Sequence, residues 1–254
     1  MKMFSSINPS SQNLTTYHIS RFFIFFSFLF CLCLCAVLYL TQILSPTLQN
    51  KISVQSNSYH LSSCPTIIID PGHGGRDPGK VGTEGTLEKD INLKIALYLK
   101  KILETQDVKV LMTRQEDKDL SKTSSNFKAS DLKERVAFIQ KNDADLVISI
   151  HQNSYTTPEV HGAQCFYHTN SPEGEQLAAI IQNQIIASTT QTKIRSVKGN
   201  NDYYLLKHSP IPTVIVECGF LSNPDEEKLL LTQEYQRQMA WAIHLGILQY
   251  IKNH

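Results

Sequence analysis

The sequence predicts an α/β domain: a mostly parallel, mixed, twisted sheet with helices on both faces, forming one globular unit behind an N-terminal transmembrane helix. Three observations predict it. Residues 22–40 are an uncharged apolar run. Beyond it, short β-branched stretches such as TIIID at residues 66–70 and DLVISI at 145–150 recur. Between them lie segments with apolar residues every three or four positions. Buried strands alternating with amphipathic helices imply a sheet covered on both sides. The composition agrees. With 41% apolar and 19% charged residues in 254, the chain is neither disordered nor fibrous. A net charge of +1 offers no basic field for nucleic acid.

The elements follow in order. Residues 1–21 read as a cytoplasmic N-terminus. Residues 22–41 read as an uncleaved signal-anchor, because about 19 residues at 1.5 Å each match the thickness of a bilayer core. Lys2 and Arg21 precede the run, which favours a cytoplasmic N-terminus and an external domain. A cleaved signal peptide fits less well, since the run is long and the best cleavage candidate, near Ala36, lies inside it. Residues 42–64, rich in Ser, Gln, Asn and Thr, read as a linker, and 65–254 as the domain.

Within the domain, 66–70 is a buried strand. Ile91, Ile95, Leu99 and Ile102 define a helix over 87–104, and 108–112 a second strand. The polar stretch 115–130 reads as a surface loop, its charged tract 116–122 as solvated. Leu132, Val136 and Ile139 mark a helix capped by Ser130. Strands follow at 145–150 and 163–168. Ser171-Pro172 starts a helix carrying Leu177, Ile181 and Ile185. Residues 212–216 form another strand, and Asn223-Pro224 with Glu226 resembles a capping box. Tyr235, Met239, Ile243, Ile247 and Tyr250 mark the last helix. There is no internal repeat and no second globular domain.

Cys31, Cys33 and Cys35 lie in the apolar run and behave as small hydrophobes. Cys64, Cys165 and Cys218 are an odd set without C-x-x-C spacing, which excludes a disulfide-dense scaffold and a cysteine metal motif.

Polar residues gather where strands stop. The first strand runs into Asp70-Pro71-Gly72-His73, the third into His151, the late one into Glu217. In an open parallel sheet the functional crevice lies at these carboxyl ends. Glu88 falls on the inward stripe of the first helix, at its first turn, near the same edge. Two imidazoles and a carboxylate are a common catalytic zinc set with one position left for water. A further carboxylate within reach supplies general acid–base chemistry. Glu217 is the natural candidate, although spacing alone leaves open which glutamate is ligand and which is base. The residues therefore indicate a metal-dependent hydrolase.

Competing readings are weaker. Residues 74–80 fit G-x-x-x-x-G-K, but Val81 stands where a phosphate loop needs Ser or Thr, and Pro78 removes an amide donor, so no nucleotide is expected. His161, His168 and His208 lie in or beside loops and read as solvated or structural. Asp70 either orients a ligand imidazole from behind or stabilises its own tight turn. Arg114, Lys207 and Tyr204 are candidates for contacts to peptide carboxylates or glycan, with a surface or packing role favoured for each. Cys218 points away from Glu217 along an extended strand and is no ligand.

The segments IIIDPGHGGRDPG, LEKDINL, LVISIHQNS and VIVECGFLSN resemble, in order and spacing, the four signature blocks of the zinc-dependent N-acetylmuramoyl-L-alanine amidases of bacterial cell walls. The resemblance runs from about Thr66 to the C-terminus. It implies one catalytic Zn²⁺ held by His73, Glu88 and His151, with Glu217 as the catalytic glutamate. Asn153 keeps the family's His-x-Asn pattern beside the substrate. The implied reaction cleaves the amide between N-acetylmuramic acid and the L-alanine of peptidoglycan stem peptides. The anchor, the chain length and the long polar loop further resemble the germination-specific branch found in spore-formers. That branch implies spore-cortex maturation with muramic δ-lactam formation and a location around the forespore. An accessory activator protein would suit an enzyme able to lyse its own cell. A general autolysin is the alternative. A non-catalytic peptidoglycan-binding module is disfavoured, since binding alone needs no base.

Overall fold

The computed structural model describes residues 64–190 and 193–254, together with Phe30, Leu32, Cys33, Leu34, Ala36 and Tyr39. The chain divides into two units, Met1–Ser58 and Tyr59–His254. The expected N-terminus, most of the anchor and nearly all of the linker lie outside the described residues. The six described positions of the apolar run are helical and exposed. Among the described residues no helix is long and apolar enough to cross a membrane.

The second unit is built on one six-stranded sheet. Its strands are β1 (Thr66–Pro71), β2 (Lys109–Met112), β3 (Leu146–Asn153), β4 (Gln164–Tyr167), β5 (Lys198–Gly199) and β6 (Thr213–Phe220), in the spatial order β2-β1-β3-β6-β4-β5. Only the β4–β6 pair is antiparallel. The helices are α1 (Glu88–Leu103), α2 (Phe127–Lys141), α3 (Pro172–Ser188), α4 (Tyr204–His208), α5 (Pro224–Leu231) and α6 (Gln233–Asn253).

The central position of β1 explains its sequence. Ile67, Ile68 and Ile69 are all fully buried, so the strand is apolar without alternation. Successive residues still face opposite layers. Ile67 and Ile69 join Ile91 and Ile95 of α1, Ile181 of α3 and Ile243 of α6 in the main core. Ile68 packs with Val147 of β3, Val136 and Ile139 of α2 and Leu205 of α4 in a second cluster.

Several elements differ from the sequence expectation. β3 and β6 run on to Asn153 and Phe220, so His151 and Glu217 sit inside strands and face each other in register. α2 starts at Phe127, behind Asn126 in the left-handed region. Ser130 lies inside the helix rather than capping it, and its hydroxyl accepts from the Lys122 N–H at 3.2 Å. Asparagine tolerates that backbone geometry without a side-chain cap, which conceals the start. The Asn223 side chain does cap α5 through the N–H groups of Asp225 and Glu226. The capping box stays open, however, because the Glu226 carboxylate accepts instead from the backbone N–H of Gly162 (2.9 Å) and Phe220 (2.8 Å). β5 and α4 are too short to leave a periodic signal. Ser171 caps α3 as expected, accepting from Gly174 N–H at 3.0 Å. Cys64, Cys165 and Cys218 are in no disulfide, and the last two are buried.

Candidate active site

β1 delivers Pro71, Gly72 and His73 to the carboxyl edge of the sheet. The chain then turns sharply: His73 has φ +61° and Gly74 and Asp77 exchange both backbone hydrogen bonds at 3.0 Å. The turn brings Asp77 Oδ2 to 2.7 Å from His73 Nδ1. With Nδ1 occupied, Nε2 is left facing Glu88 Oε2 at 3.2 Å. The other oxygen of Glu88 lies 3.0 Å from His151 Nδ1.

Glu88 is 1% exposed, at the first turn of α1. Its Oε1 accepts from the Gln152 N–H (3.0 Å) and the Asn92 amide (3.2 Å), its Oε2 from the Lys80 N–H (2.7 Å). Burial works against its ionised form, but the imidazoles of His151 and His73 outweigh it and hold the carboxyl well below its usual range. Burial likewise opposes the charged His73 ring, which Glu88 and Asp77 nevertheless push up.

Three residues, His73, Glu88 and His151, offer ligand atoms within 4.8 Å of one another. Around a tetrahedral ion with bonds near 2 Å, neighbouring ligand atoms stand roughly 3.3 Å apart. The two histidine–glutamate contacts are close to that spacing, and the Asp77–His73 pair is the outer carboxylate that orients a ligating imidazole. The donor set therefore fits a divalent metal.

Two glycines make room for it. A Cβ on Gly72 would lie 2.2 Å from the His151 ring. One on Gly79, where φ is +70°, would lie 2.5 Å from Glu88 Oε2 and 2.7 Å from the His73 ring. Gly72→Ala and Gly79→Ala are each expected to weaken metal affinity by roughly tenfold or more, the scale on which disturbed supporting shells act. Competition with a chromophoric chelator measures it; affinity unchanged in both variants would show that these glycines do not shape the site.

Glu217 faces His151 across the β3–β6 pair and is 6% exposed. Among the described residues its Oε2 has no hydrogen-bond partner. Burial pushes its carboxyl up to about 7, with His151 and His73 opposing and Glu88 reinforcing the shift. A bound divalent cation would draw that value back down. A buried acid with an unsatisfied oxygen costs stability, and such groups concentrate where chemistry is done.

Asp70 does not orient an imidazole. Its carboxylate accepts from Thr113 Oγ1 (2.6 Å), Ser149 Oγ (2.7 Å) and Arg135 Nη1 (2.6 Å). Burial would raise its pKa, but Arg135 and the two hydroxyls win and lower it to about 2. Arg135, paired also with Asp131 at 2.6 Å, donates to the carbonyls of Pro71 (2.8 Å) and His73 (2.6 Å). Asp70 thus acts on the histidine turn through a guanidinium. Arg114 is likewise engaged by the backbone. It is buried, and donates to the carbonyls of Pro71, Gly72, Lys89 and Glu116 at 2.9–3.2 Å. The tract 116–122 is not merely solvated either. Asp117 accepts from the Gly75 N–H and from Lys89, both at 2.7 Å, and Asp119 pairs with Arg76 at 3.0 Å. The loop braces the turn that carries His73.

Asn153 and Tyr204 line the same cleft, a hollow of about 470 Å³ that also exposes Lys80, Lys128 and Tyr203. Lys207 lines a separate hollow with His168 and Ser171. Among the described residues neither His161, His168 nor His208 belongs to a candidate metal group. Cys218 is buried in the main core beneath the sheet, as its strand position requires. Asp77, Arg135 and Tyr203 were not foreseeable as site residues: the first needs the unusual turn at His73, and the others read as an ordinary helix cation and an ordinary aromatic.

Fold and site together define a class: an α/β enzyme with a candidate metal pocket and, at the carboxyl edge of its sheet, a buried acid with one oxygen unpartnered among the described residues. Residues 67–249 match the N-acetylmuramoyl-L-alanine amidase family, and the chain belongs to it. It is an N-acetylmuramoyl-L-alanine amidase whose substrate is peptidoglycan. The chain is 40% identical over 188 residues to the germination-specific N-acetylmuramoyl-L-alanine amidase of Bacillus subtilis (strain 168), covering 72% of this chain and 78% of that one. Among solved structures it resembles the CwlD amidase from Clostridioides difficile in complex with the GerS lipoprotein, with 40% identity and a TM-score of 0.72, covering 75% of this chain and all of that one. An N-acetylmuramoyl-L-alanine amidase from Clostridium difficile 630 matches at 32% identity and a TM-score of 0.68, over 75% and 98% of the two chains.

Proposed function

We propose that the chain is a zinc amidase of the spore cortex, held at the membrane by residues 22–41 with its catalytic domain, residues 65–254, outside the cytoplasm around the forespore. The observation that carries the chemistry is the His73–Glu88–His151 cluster with the buried Glu217 beside it. These three residues would hold the zinc. When bound, the metal supplies Lewis acidity, lowering the pKa of water towards about 7 and polarising an amide carbonyl. Glu217 takes the proton from the attacking water. It then returns that proton to the nitrogen of L-alanine as the amide C–N bond breaks, leaving the lactyl carboxylate on muramic acid and a free peptide amine. Glu217, buried beside the cluster with one carboxylate oxygen unpartnered among the described residues, is placed to accept and release that proton.

The cortex assignment rests on the 40% identity to the germination-specific enzyme and on full coverage of the CwlD chain. Peptide removal there supplies the bare muramic acid from which δ-lactam is made. CwlD is seen with the GerS lipoprotein, so an accessory activator protein is proposed here as well. The uncharged run 22–40 supports the anchor.

The test incubates the full chain in detergent with purified cortex and vegetative peptidoglycan and identifies products by mass spectrometry. Peptides beginning at L-alanine are expected, with cortex preferred. Removal of metal by a chelator is expected to abolish release, and zinc to restore it. His73→Ala and His151→Ala are each expected to lose stoichiometric zinc, because two remaining ligands do not complete the set. Full zinc in both variants would overturn the ligand assignment.

A further inference from the structure

The Glu217 carboxylate has a single hydrogen-bond donor among the described residues, and it comes from a side chain so far given no role. The Tyr203 hydroxyl donates to Glu217 Oε1 at 3.5 Å, while Oε2 is buried without a partner. Tyr203 lines the same cleft as His73, Glu88 and His151.

We propose that Tyr203 is a positioning residue for Glu217, its phenol setting the rotation of the carboxylate that carries the proton. The inference rests on the reading of Glu217 as that carrier. The carboxylate stands on a rigid strand, but rotation about its last bond is soft. One donor removes that freedom. It also leaves Oε1 a second lone-pair direction for the proton of the water. The separation is long, as catalytic hydrogen bonds often are before substrate arrives.

The phenol is itself held firmly. Asn200 Oδ1 accepts from the backbone N–H groups of Asp202 and Tyr203, both at 2.8 Å, fixing the turn into α4. The Tyr203 ring stands edge-to-face on Phe166, with centroids 5.5 Å apart. Phe166, Leu206 and Ile215 form a small apolar cluster against which Tyr203 packs. Burial and the neighbouring Glu217 both push the phenol up from its ordinary pKa, so it stays protonated and remains a donor. A purely structural reading explains the ring but not the hydroxyl, since phenylalanine would fill the same place against Phe166.

Tyr203→Phe separates the two, because it deletes one oxygen and keeps the ring. Crystals of the full-length wild type and variant, with zinc bound, would be compared alongside peptide release from peptidoglycan. In the variant the Glu217 carboxylate is expected to rotate or lose order, with His73, Glu88 and His151 unmoved. The kcat is expected to fall by roughly tenfold to a hundredfold, as misplacement of a reacting group allows, with KM changed less than about twofold and zinc content unchanged. An unmoved carboxylate with unchanged kcat would overturn the proposal. So would a loss confined to KM, which would make the phenol a substrate contact, or a loss of zinc. Wild-type protein that releases no peptide would count against the amidase reading of Glu217, while the position of the carboxylate would still decide the role of Tyr203.

Discussion

Glu217→Gln is expected to lower peptide release from peptidoglycan by about a thousandfold or more, with zinc content unchanged. General acid–base groups contribute roughly 10²–10⁴ in rate, and in the proposed mechanism this residue serves both proton transfers. Glutamine keeps the volume, so no cavity opens beneath the sheet. It cannot take up the proton of the attacking water, and zinc alone leaves the leaving nitrogen unprotonated. The same change is expected to stabilise the metal-free protein, because a buried carboxylate with an unpaired oxygen becomes a neutral amide. The pH dependence has a definite sign. The folded pKa is about 7 and the ordinary value 4.5. The folded state therefore binds the proton more tightly, and the wild type loses stability as pH rises from 4.5 towards 7. The advantage of the variant should grow across that interval to at most about 3 kcal/mol. Denaturant titrations of metal-free protein at pH 4, 5.5 and 7.5 read this directly. A variant that retains turnover would remove Glu217 from the mechanism; one equally stable at all three pH values would mean that the carboxylate is not strained by burial.

The sequence made the inner part of this site legible because chemistry leaves few choices there. Two histidines and a strand glutamate at the carboxyl edge of the sheet, and an inward-facing glutamate at a helix start, stand out from strand and helix patterns, although β3 and β6 run on past His151 and Glu217. β1 was equally plain, since three consecutive isoleucines bounded by turn residues fit a central strand and little else. The surrounding shell was not legible. Asp77 reaches His73 only because His73 adopts a positive φ, which no local pattern encodes. Arg135 sits among the charges of LKER and looks like a solvent-facing residue, yet it is 2% exposed and holds the turn by two carbonyls. Asp117 and Asp119 look like loop charges, and only the folded chain brings them to Gly75 and Arg76. Contacts across 42 to 65 residues are set by topology, so residue type at either end says nothing of the partner.

That hidden shell carries the largest stability effect. Arg135→Ala is expected to destabilise the domain by about 3–5 kcal/mol, the range for removing one partner of a buried ion pair. Arg135 bridges two carboxylates, Asp70 and Asp131, each 2.6 Å away. Its loss leaves both buried carboxylates without their cation and removes its hydrogen bonds to the carbonyls of Pro71 and His73. Because the His73 turn hangs on those carbonyls, zinc affinity should fall with stability. A double variant, Arg135→Met with Asp70→Asn, is expected to recover part of the loss, since it removes one of the two uncompensated charges along with Arg135. The wild type also has an acid signature. Arg135 and the hydroxyls lower the Asp70 pKa from 3.8 to about 2, against burial. A depressed acid contributes stability that is complete above its unfolded value and lost as pH falls through the folded one. The loss should therefore lie between about pH 4 and pH 2, amounting to roughly 2–3 kcal/mol. In the double variant no ionised Asp70 remains, so this part of the acid slope should vanish. Urea midpoints between pH 2 and 7 compare the two proteins. An unchanged acid slope in the double variant would place the acid sensitivity in other carboxylates. Unchanged stability in Arg135→Ala would mean that Arg114, which also donates to Pro71 and Gly72, holds the turn without help.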